Sequence, residues 1–254
     1  MELELKSKDD VERMRRAGQI VAEVLQRLKE AVKPGVTTLG LDRIAAELTR
    51  KRGAVPAFKG YRVGGREFPA SLCVSINDEV VHGIPSAFRT LKDGDIVGLD
   101  FGVVVDGYYG DAAVTVPIGK VSAKAEHLMN ATRESLWRGI RTIRVGSRLG
   151  DLSHAIQSYA EGAGLSVVRE FVGHGIGRRL HEEPQVPNFG EPGRGRLLRE
   201  GMVLAIEPML NLGEPGVMVK EDGWTAVTRD GSLSAHFEHS VAVTADGPVV
   251  LTEL

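Results

Sequence analysis

Four acidic residues stand where the surrounding residues read as buried strand. Asp100 and Asp111 lie in the run Gly98-Leu99-Asp100-Phe101-Gly102-Val103-Val104-Val105-Asp106-Gly107-Tyr108-Tyr109-Gly110-Asp111. Asp106-Gly107 between β-branched and aromatic residues is a two-residue hairpin signal. With that turn Val105 pairs with Tyr108, Asp100 faces Ala113 and Asp111 faces Gly102. Both acids then share one sheet face, about 7 to 8 Å apart on the diagonal. Glu207 follows Met202-Val203-Leu204-Ala205-Ile206, and Glu238 sits within Ala235-His236-Phe237-Glu238-His239-Ser240-Val241. A buried carboxylate is costly unless it is paired or metal-bound, and like charges on one face repel. Four carboxylates balance two divalent cations, so the pattern favours a dinuclear site over a single ion.

Histidines add nitrogen donors. His174 is flanked by glycines in Gly173-His174-Gly175-Ile176-Gly177, which lets a bound group approach closely. His181 follows in His181-Glu182-Glu183-Pro184, and His82 stands in Val81-His82-Gly83-Ile84-Pro85. Any one of them alone more often has a structural role; their weight comes from occurring with four misplaced acids. Oxygen-rich donors with an imidazole suit Mn, Fe or Co better than a thiolate-type zinc site. Two such ions holding a bridging water make a nucleophile near neutral pH for carbonyl or phosphoryl centres. No Walker-type phosphate loop and no Ser-His-Asp arrangement is present. The residues by themselves read as a dinuclear metallohydrolase.

Helices and strands must position these groups. Residues 7–33 read as a helix: Ser7 caps it with Asp10 in the capping-box position. Val11, Met14, Ala17, Val21, Val24, Leu25 and Leu28 form its apolar stripe, and Pro34-Gly35 stops it. A second helix spans 39–52. Residues 71–118 are β-rich, helices return at 122–143 and 149–163, and short strands follow from 201. Gly60 to Gly65 and residues 190–196 read as surface loops. The order repeats, and so do residues. Leu91-Lys92-Asp93-Gly94-Asp95-Ile96-Val97-Gly98-Leu99-Asp100 aligns without a gap with Leu198-Arg199-Glu200-Gly201-Met202-Val203-Leu204-Ala205-Ile206-Glu207. The expectation is one catalytic domain over 1–254, built from pseudo-repeat halves of roughly 7–120 and 121–254. It is an α/β (α+β) fold whose halves share one sheet and make Asp100 and Glu207 equivalent.

The bulk composition agrees with a soluble enzyme. The chain has 254 residues, 32 Lys plus Arg against 34 Asp plus Glu, and a formal charge of −2. That balance argues against a dedicated nucleic-acid binder, whose phosphate contacts need a basic excess. One cysteine excludes an internal disulfide and a Cys-based zinc knuckle, and it suits a reducing, cytoplasmic compartment. No stretch approaches the roughly 18 to 20 apolar residues of a membrane span.

The ordered set Cys73-x-Ser75-x-Asn77-Asp78-Glu79-Val80-Val81-His82-Gly83-Ile84-Pro85, Asp100, Gly107, Gly110-Asp111, Gly173-His174-Gly175-Ile176-Gly177, His181-Glu182-Glu183-Pro184, Ala205-Ile206-Glu207-Pro208 and Phe237-Glu238-His239 resembles the methionine aminopeptidases of the bacterial type I class. The resemblance runs from about residue 7 to the C-terminus. It implies the pita-bread fold: two pseudo-symmetric halves sharing a mainly antiparallel curved sheet, with helices on the outer face. It implies removal of the N-terminal methionine from nascent proteins whose second residue is small, by attack of a metal-bridging hydroxide on the first peptide carbonyl.

By the same resemblance Asp100 chelates one of two divalent ions (cobalt, manganese or iron), Asp111 and Glu238 bridge both, and His174 and Glu207 bind the other. Glu207 also takes the proton from the water, His181 steadies the oxyanion and His82 contacts the scissile nitrogen. Cys73, Tyr61, Phe68 and Trp224 correspond to the methionine pocket, whose sulfur and aromatic contacts suit a thioether. The implied partners are N-terminal methionyl peptides, with transient ribosome contact following from that substrate class. Neither a membrane nor a specific nucleic acid is implied, and the family suggests a monomer.

Three positions depart from the family pattern. Six residues, Arg62 to Glu67, separate Tyr61 from Phe68 where two are usual, and they border the expected pocket. Gly102 stands where Thr is frequent, and His236 where Gln is common. Two other readings stay open at this point. A proline-specific peptidase of the same fold shares the metal ligands but usually carries an extra N-terminal domain. A non-catalytic pita-bread binding protein keeps the fold but loses ligands.

Overall fold

The computed structural model describes residues 3–254. Helices α1 (Lys8–Ala31) and α2 (Thr38–Lys51) come first. Strands β1 (Val55–Pro56), β2 (Arg62–Val63), β3 (Arg66–Glu67), β4 (Cys73–Ile76), β5 (Glu79–Val81), β6 (Ile96–Val105) and β7 (Tyr108–Pro117) follow. Helices α3 (Ala123–Arg141) and α4 (Leu149–Gly162) lead into β8 (Ser166–Val167), β9 (Gly173–Gly175), β10 (Glu182–Val186), β11 (Val203–Ile206) and β12 (Met209–Asn211). The chain ends through β13 (Val217–Val219), β14 (Ala226–Thr228), β15 (Ser234–His236), β16 (Glu238–Thr244) and β17 (Gly247–Val250).

The capping box at α1 forms. Ser7 Oγ accepts from the Asp10 N–H at 3.2 Å, and the Asp10 carboxylate accepts from the Ser7 N–H at 2.9 Å. The helix buries Met14, Ala17, Val21, Val24, Leu25 and Leu28, the stripe read from its periodicity. Helix α3 starts at Ser122, whose side chain accepts from the Ala125 N–H.

The main sheet has nine antiparallel strands. Its order is β1-β6-β7-β16-β11-β9-β10, with β4 beside β6 and β17 beside β16. The β6–β7 ladder pairs Val105 with Tyr108, Asp100 with Ala113 and Gly102 with Asp111, the register expected from the Asp106-Gly107 turn. Helices α1 and α2 cover one half of the sheet through a core that includes Val21, Leu28, Leu41, Leu99, Phe101 and Ala112. Helices α3 and α4 cover the other half, with Leu128, Leu136, Leu152 and Ile156 packed in one core with Leu204, Ile206 and Phe237. Truncating a fully buried member such as Leu28 to Ala costs about 2–5 kcal/mol.

Alternation along each strand then decides where the acids point. Leu99 and Phe101 belong to the helix side, so Asp100 between them faces away. Ala112, Ile206 and Phe237 do the same for Asp111, Glu207 and Glu238. One hydrogen bond recurs at the matching place in each half. The Gly35 N–H donates to the Leu91 carbonyl and the Gly146 N–H to the Leu198 carbonyl, both at 2.9 Å.

Helix α1 lies directly on β7. A Cβ at Gly110 would fall 2.8 Å from the Gly18 nitrogen, so only glycine permits this approach beside Asp111. Residues 60–65, read from the sequence as a surface loop, instead begin a ribbon. Gly64 and Gly65, at φ 57° and 82°, turn the chain between β2 and β3, and the Phe68 N–H donates to the Tyr61 carbonyl at 2.8 Å. No helix among the described residues is long and apolar enough to cross a membrane.

Candidate metal centre

Five neighbouring strands each bring one group to the same face. Across the sheet the order β6, β7, β16, β11, β9 carries Asp100, Asp111, Glu238, Glu207 and His174, with Glu207 one residue past the end of β11. The registers hold them level. Asp100 and Glu238 both pair with Ala113 from opposite sides of β7, and Ala205 pairs with His174. Ligand atoms of Asp111, His174 and Glu238 lie within 4.8 Å of one another. His174 Nε2 is 3.5 Å from Glu207 Oε1.

The electrostatics are those of a site that needs cations. Asp100 Oδ1, Asp111 Oδ1 and Glu238 Oε1 are buried without a hydrogen-bond partner among the described residues. Burial pushes all four carboxyls up from the usual carboxylate range. For Asp111, Glu207 and Glu238 the neighbouring acids push further the same way. Divalent cations remove both penalties at once. His174 Nδ1 lies 2.9 Å from the Gly175 carbonyl, which only accepts, so the proton sits on Nδ1 and the Nε2 lone pair is free. Burial lowers the His174 pKa to about 3, which keeps the ring neutral. An oxygen-rich set with one imidazole fits Mn, Fe or Co.

A cavity of about 210 Å³ opens beside these groups and is lined by Tyr61, Phe68, Cys73, His82, His181 and Trp224 together with the acids. The candidate metal ligands, His82, His181 and the candidate pocket residues Tyr61, Phe68, Cys73 and Trp224 therefore reach one cavity, whereas His236 does not line it. Its inner wall is apolar: Phe68 and Trp224 meet edge to face at 5.3 Å, and Cys73 is buried opposite Asp100 in the β4–β6 ladder. Burial, reinforced by the nearby acids, pushes the Cys73 thiol well up, which makes it a packing group and not a nucleophile. His82 adopts φ 61°, and its ring stands edge-on to Phe171 and Trp224. Burial lowers its pKa to about 4. His181 is more exposed; its Nδ1 is 2.6 Å from Tyr61 Oη and its ring is 4.2 Å from that of His174.

Sequence reasoning missed Phe58, Val63 and Leu180, which also line the cavity. An isolated apolar residue, in a loop like Phe58 and Leu180 or in a two-residue strand like Val63, carries no signal of which cavity it faces. His236 figured only as a departure from a family pattern. In the structure its Nε2 is buried without a partner, 3.8 Å from Glu207 and 4.0 Å from Glu238.

The sequence profile described as metallopeptidase family M24 matches residues 12–245. The methionine aminopeptidase of Clostridium perfringens is 54% identical over 248 residues, which cover 98% of each chain. The crystal structure of the Thermotoga maritima methionine aminopeptidase matches at TM-score 0.96 and 47% identity over the whole of both chains. The prolidase of Pyrococcus horikoshii matches at TM-score 0.76 and 21% identity, with 63% of its own chain covered, and shares the fold alone.

Proposed function

The chain belongs to metallopeptidase family M24, and on that footing we propose that it is a methionyl aminopeptidase. It releases the N-terminal methionine of nascent proteins whose second residue is small. What carries the reading is a cavity with an aromatic and sulfur-bearing inner wall beside buried carboxylates that lack counter-charge. The family membership and the whole-length likeness to methionine aminopeptidases support it over a proline-specific or non-catalytic reading.

In this mechanism Asp100, Asp111, His174, Glu207 and Glu238 would hold two divalent ions (Mn, Fe or Co), with Asp111 and Glu238 serving both. When bound, the ions supply Lewis-acid polarisation of the scissile carbonyl and a water activated at neutral pH. The methionine side chain enters between Phe68, Cys73, Trp224 and Tyr61, where a thioether meets ring edges and a thiol. Glu207 accepts the proton of the attacking water, a task for which its carboxylate is held at the cavity wall.

With Tyr61 Oη donating to Nδ1, the His181 proton sits on Nε2, and that N–H faces the carbonyl oxygen as negative charge develops there. His82, half-buried and neutral, faces the scissile nitrogen. The catalytic unit is the single domain 1–254. It works as a monomer in the cytoplasm, meeting its substrates in transient contact with the ribosome.

The test is methionine release from Met-Ala-Ser and Met-Glu-Ser after chelation and re-addition of Mn, Fe or Co. Cleavage of Met-Ala-Ser alone, and only with metal, is the expected result. Cleavage of a Xaa-Pro peptide with both methionyl peptides left intact would overturn the reading.

A further inference from the structure

The ribbon made by the six residues between Tyr61 and Phe68 has a place in the site. Among the described residues it joins no other sheet: β2 and β3 pair only with each other, Arg62 opposite Glu67 and Val63 opposite Arg66. Residues two apart on a strand share a face. Tyr61 and Val63 therefore share one face, with Arg66 and Phe68 across from them. Both Tyr61 and Val63 line the catalytic cavity. Arg62 and Glu67 take the other face and pair there at 3.1 Å in solvent. On the cavity side Arg66 is pinned. Its Nη1 donates to the Glu221 carbonyl at 3.3 Å, and its guanidinium fills the space a side chain at Gly223 would need, next to Trp224.

Exposure rises outward along this wall. Phe68 and Cys73 are 2% and 3% exposed, whereas Val63 is 57% exposed, a large apolar side chain held in water at the mouth. A peptide whose amino end lies at the acids and whose first side chain fills the inner pocket must leave past this mouth. In an extended peptide the second side chain points away from the pocket wall. The third returns to it, about 6.6 to 6.8 Å further out. Tyr61, just before β2, and Val63 are likewise two residues apart on one face, a spacing of the same order in extended chain.

From this match of registers we infer that Val63 is a specificity-determining residue for the third residue of the substrate, selecting an apolar side chain there. The inference rests on the methionyl aminopeptidase reading and extends it from the first two substrate residues to the third. Packing of a substrate Leu against Val63 withdraws apolar area on both sides, enough for a preference of about three- to tenfold.

The test compares kcat/KM for Met-Ala-Leu-Ser and Met-Ala-Ser-Ser in the metal-loaded enzyme and in two variants, Val63→Ser and Val63→Ile. The native chain is expected to favour the Leu peptide, Val63→Ile to keep that preference, and Val63→Ser to bring the ratio close to one. A native ratio close to one, or an unchanged ratio in Val63→Ser, overturns the assignment. If the native enzyme releases methionine from neither peptide, the underlying aminopeptidase reading fails. Those results separate the two failures.

Discussion

Lys6 Nζ lies 2.6 Å from Glu182 Oε2, and both side chains are almost wholly buried. Glu182 uses its other oxygen to accept from the Arg178 and Arg179 N–H groups at 2.8 and 3.0 Å. The N-terminal segment is thus bolted to the turn that carries His181. Removing one member of a buried pair leaves an uncompensated charge, so Lys6→Met should cost about 3–5 kcal/mol in urea unfolding. Adding Glu182→Gln removes that charge and keeps an acceptor for the two amides. The double variant is expected to recover part of the loss; equal or greater destabilisation would mean that the charge is not the cause. Because Glu182 follows His181, Lys6→Met should also lower kcat more than it changes KM.

The Tyr61 hydroxyl and His181 form a second pair whose separation is informative. Phe at position 61 keeps the ring in the pocket and removes the hydroxyl that hydrogen-bonds His181 Nδ1 and holds its ring. Tyr61→Phe is expected to reduce kcat by about tenfold, with KM and metal content near native values, and His181→Ala by roughly 100-fold. Metal analysis of His181→Ala decides its role: a lost equivalent would make it a ligand.

Removal of metal changes how stability depends on pH. Without cations, burial raises the four carboxyl pKa values, so the folded metal-free chain holds protons that the unfolded chain has already lost. The stability that these protons contribute is complete below the ordinary carboxylate range and disappears as pH rises through the raised values. The chelated protein should therefore melt at progressively lower temperature from about pH 5 to about pH 8. The loaded protein should lose much less, and metal uptake should release protons. Calorimetry in two buffers of different ionisation enthalpy measures that release; identical heats would contradict it.

Local chemistry makes part of this site legible in the sequence. The Asp106-Gly107 turn sets the pairing of β6 with β7, and that register alone brings Asp100 opposite Ala113. The period of two then fixes the shared face of Asp100 and Asp111. Neither signal reveals partners distant in sequence. That Glu238 stands between Asp111 and Glu207 comes from the pairing of β16 with β7 and β11, and that Lys6 meets Glu182 comes from tertiary packing. Alternation records faces, and many registers between remote strands satisfy it equally. The ribbon at 62–67 is not legible because two-residue strands with one apolar side chain have no period to detect. Strands β9 and β10 are hidden for a related reason: neither Gly-His-Gly nor Glu-Glu-Pro-Gln-Val carries an alternating apolar pattern.

Gly102 offers the sharpest test of how closely the metal ligands are packed. It pairs with Asp111 across the ladder. A Cβ there would lie 3.0 Å from Phe58, 3.1 Å from Asp111 Oδ1 and 3.2 Å from Ala57. These approaches require shifts of a few tenths of an ångström, and Asp111 Oδ1 has no hydrogen-bond partner. Thr and Val are nearly isosteric, but only Thr can donate to that oxygen. Gly102→Val is therefore expected to weaken Mn binding by about 10- to 100-fold, the usual range for disturbing the groups that orient a ligand. Gly102→Thr should be weakened clearly less, because its hydroxyl satisfies the carboxylate that it crowds. Titration of both variants with Mn, with Asp111→Ala as the reference for loss of the ligand itself, distinguishes the contributions. Equal affinities for Thr and Val would mean that crowding alone governs the site, and native affinity in both would mean that Asp111 moves aside without cost to the metal.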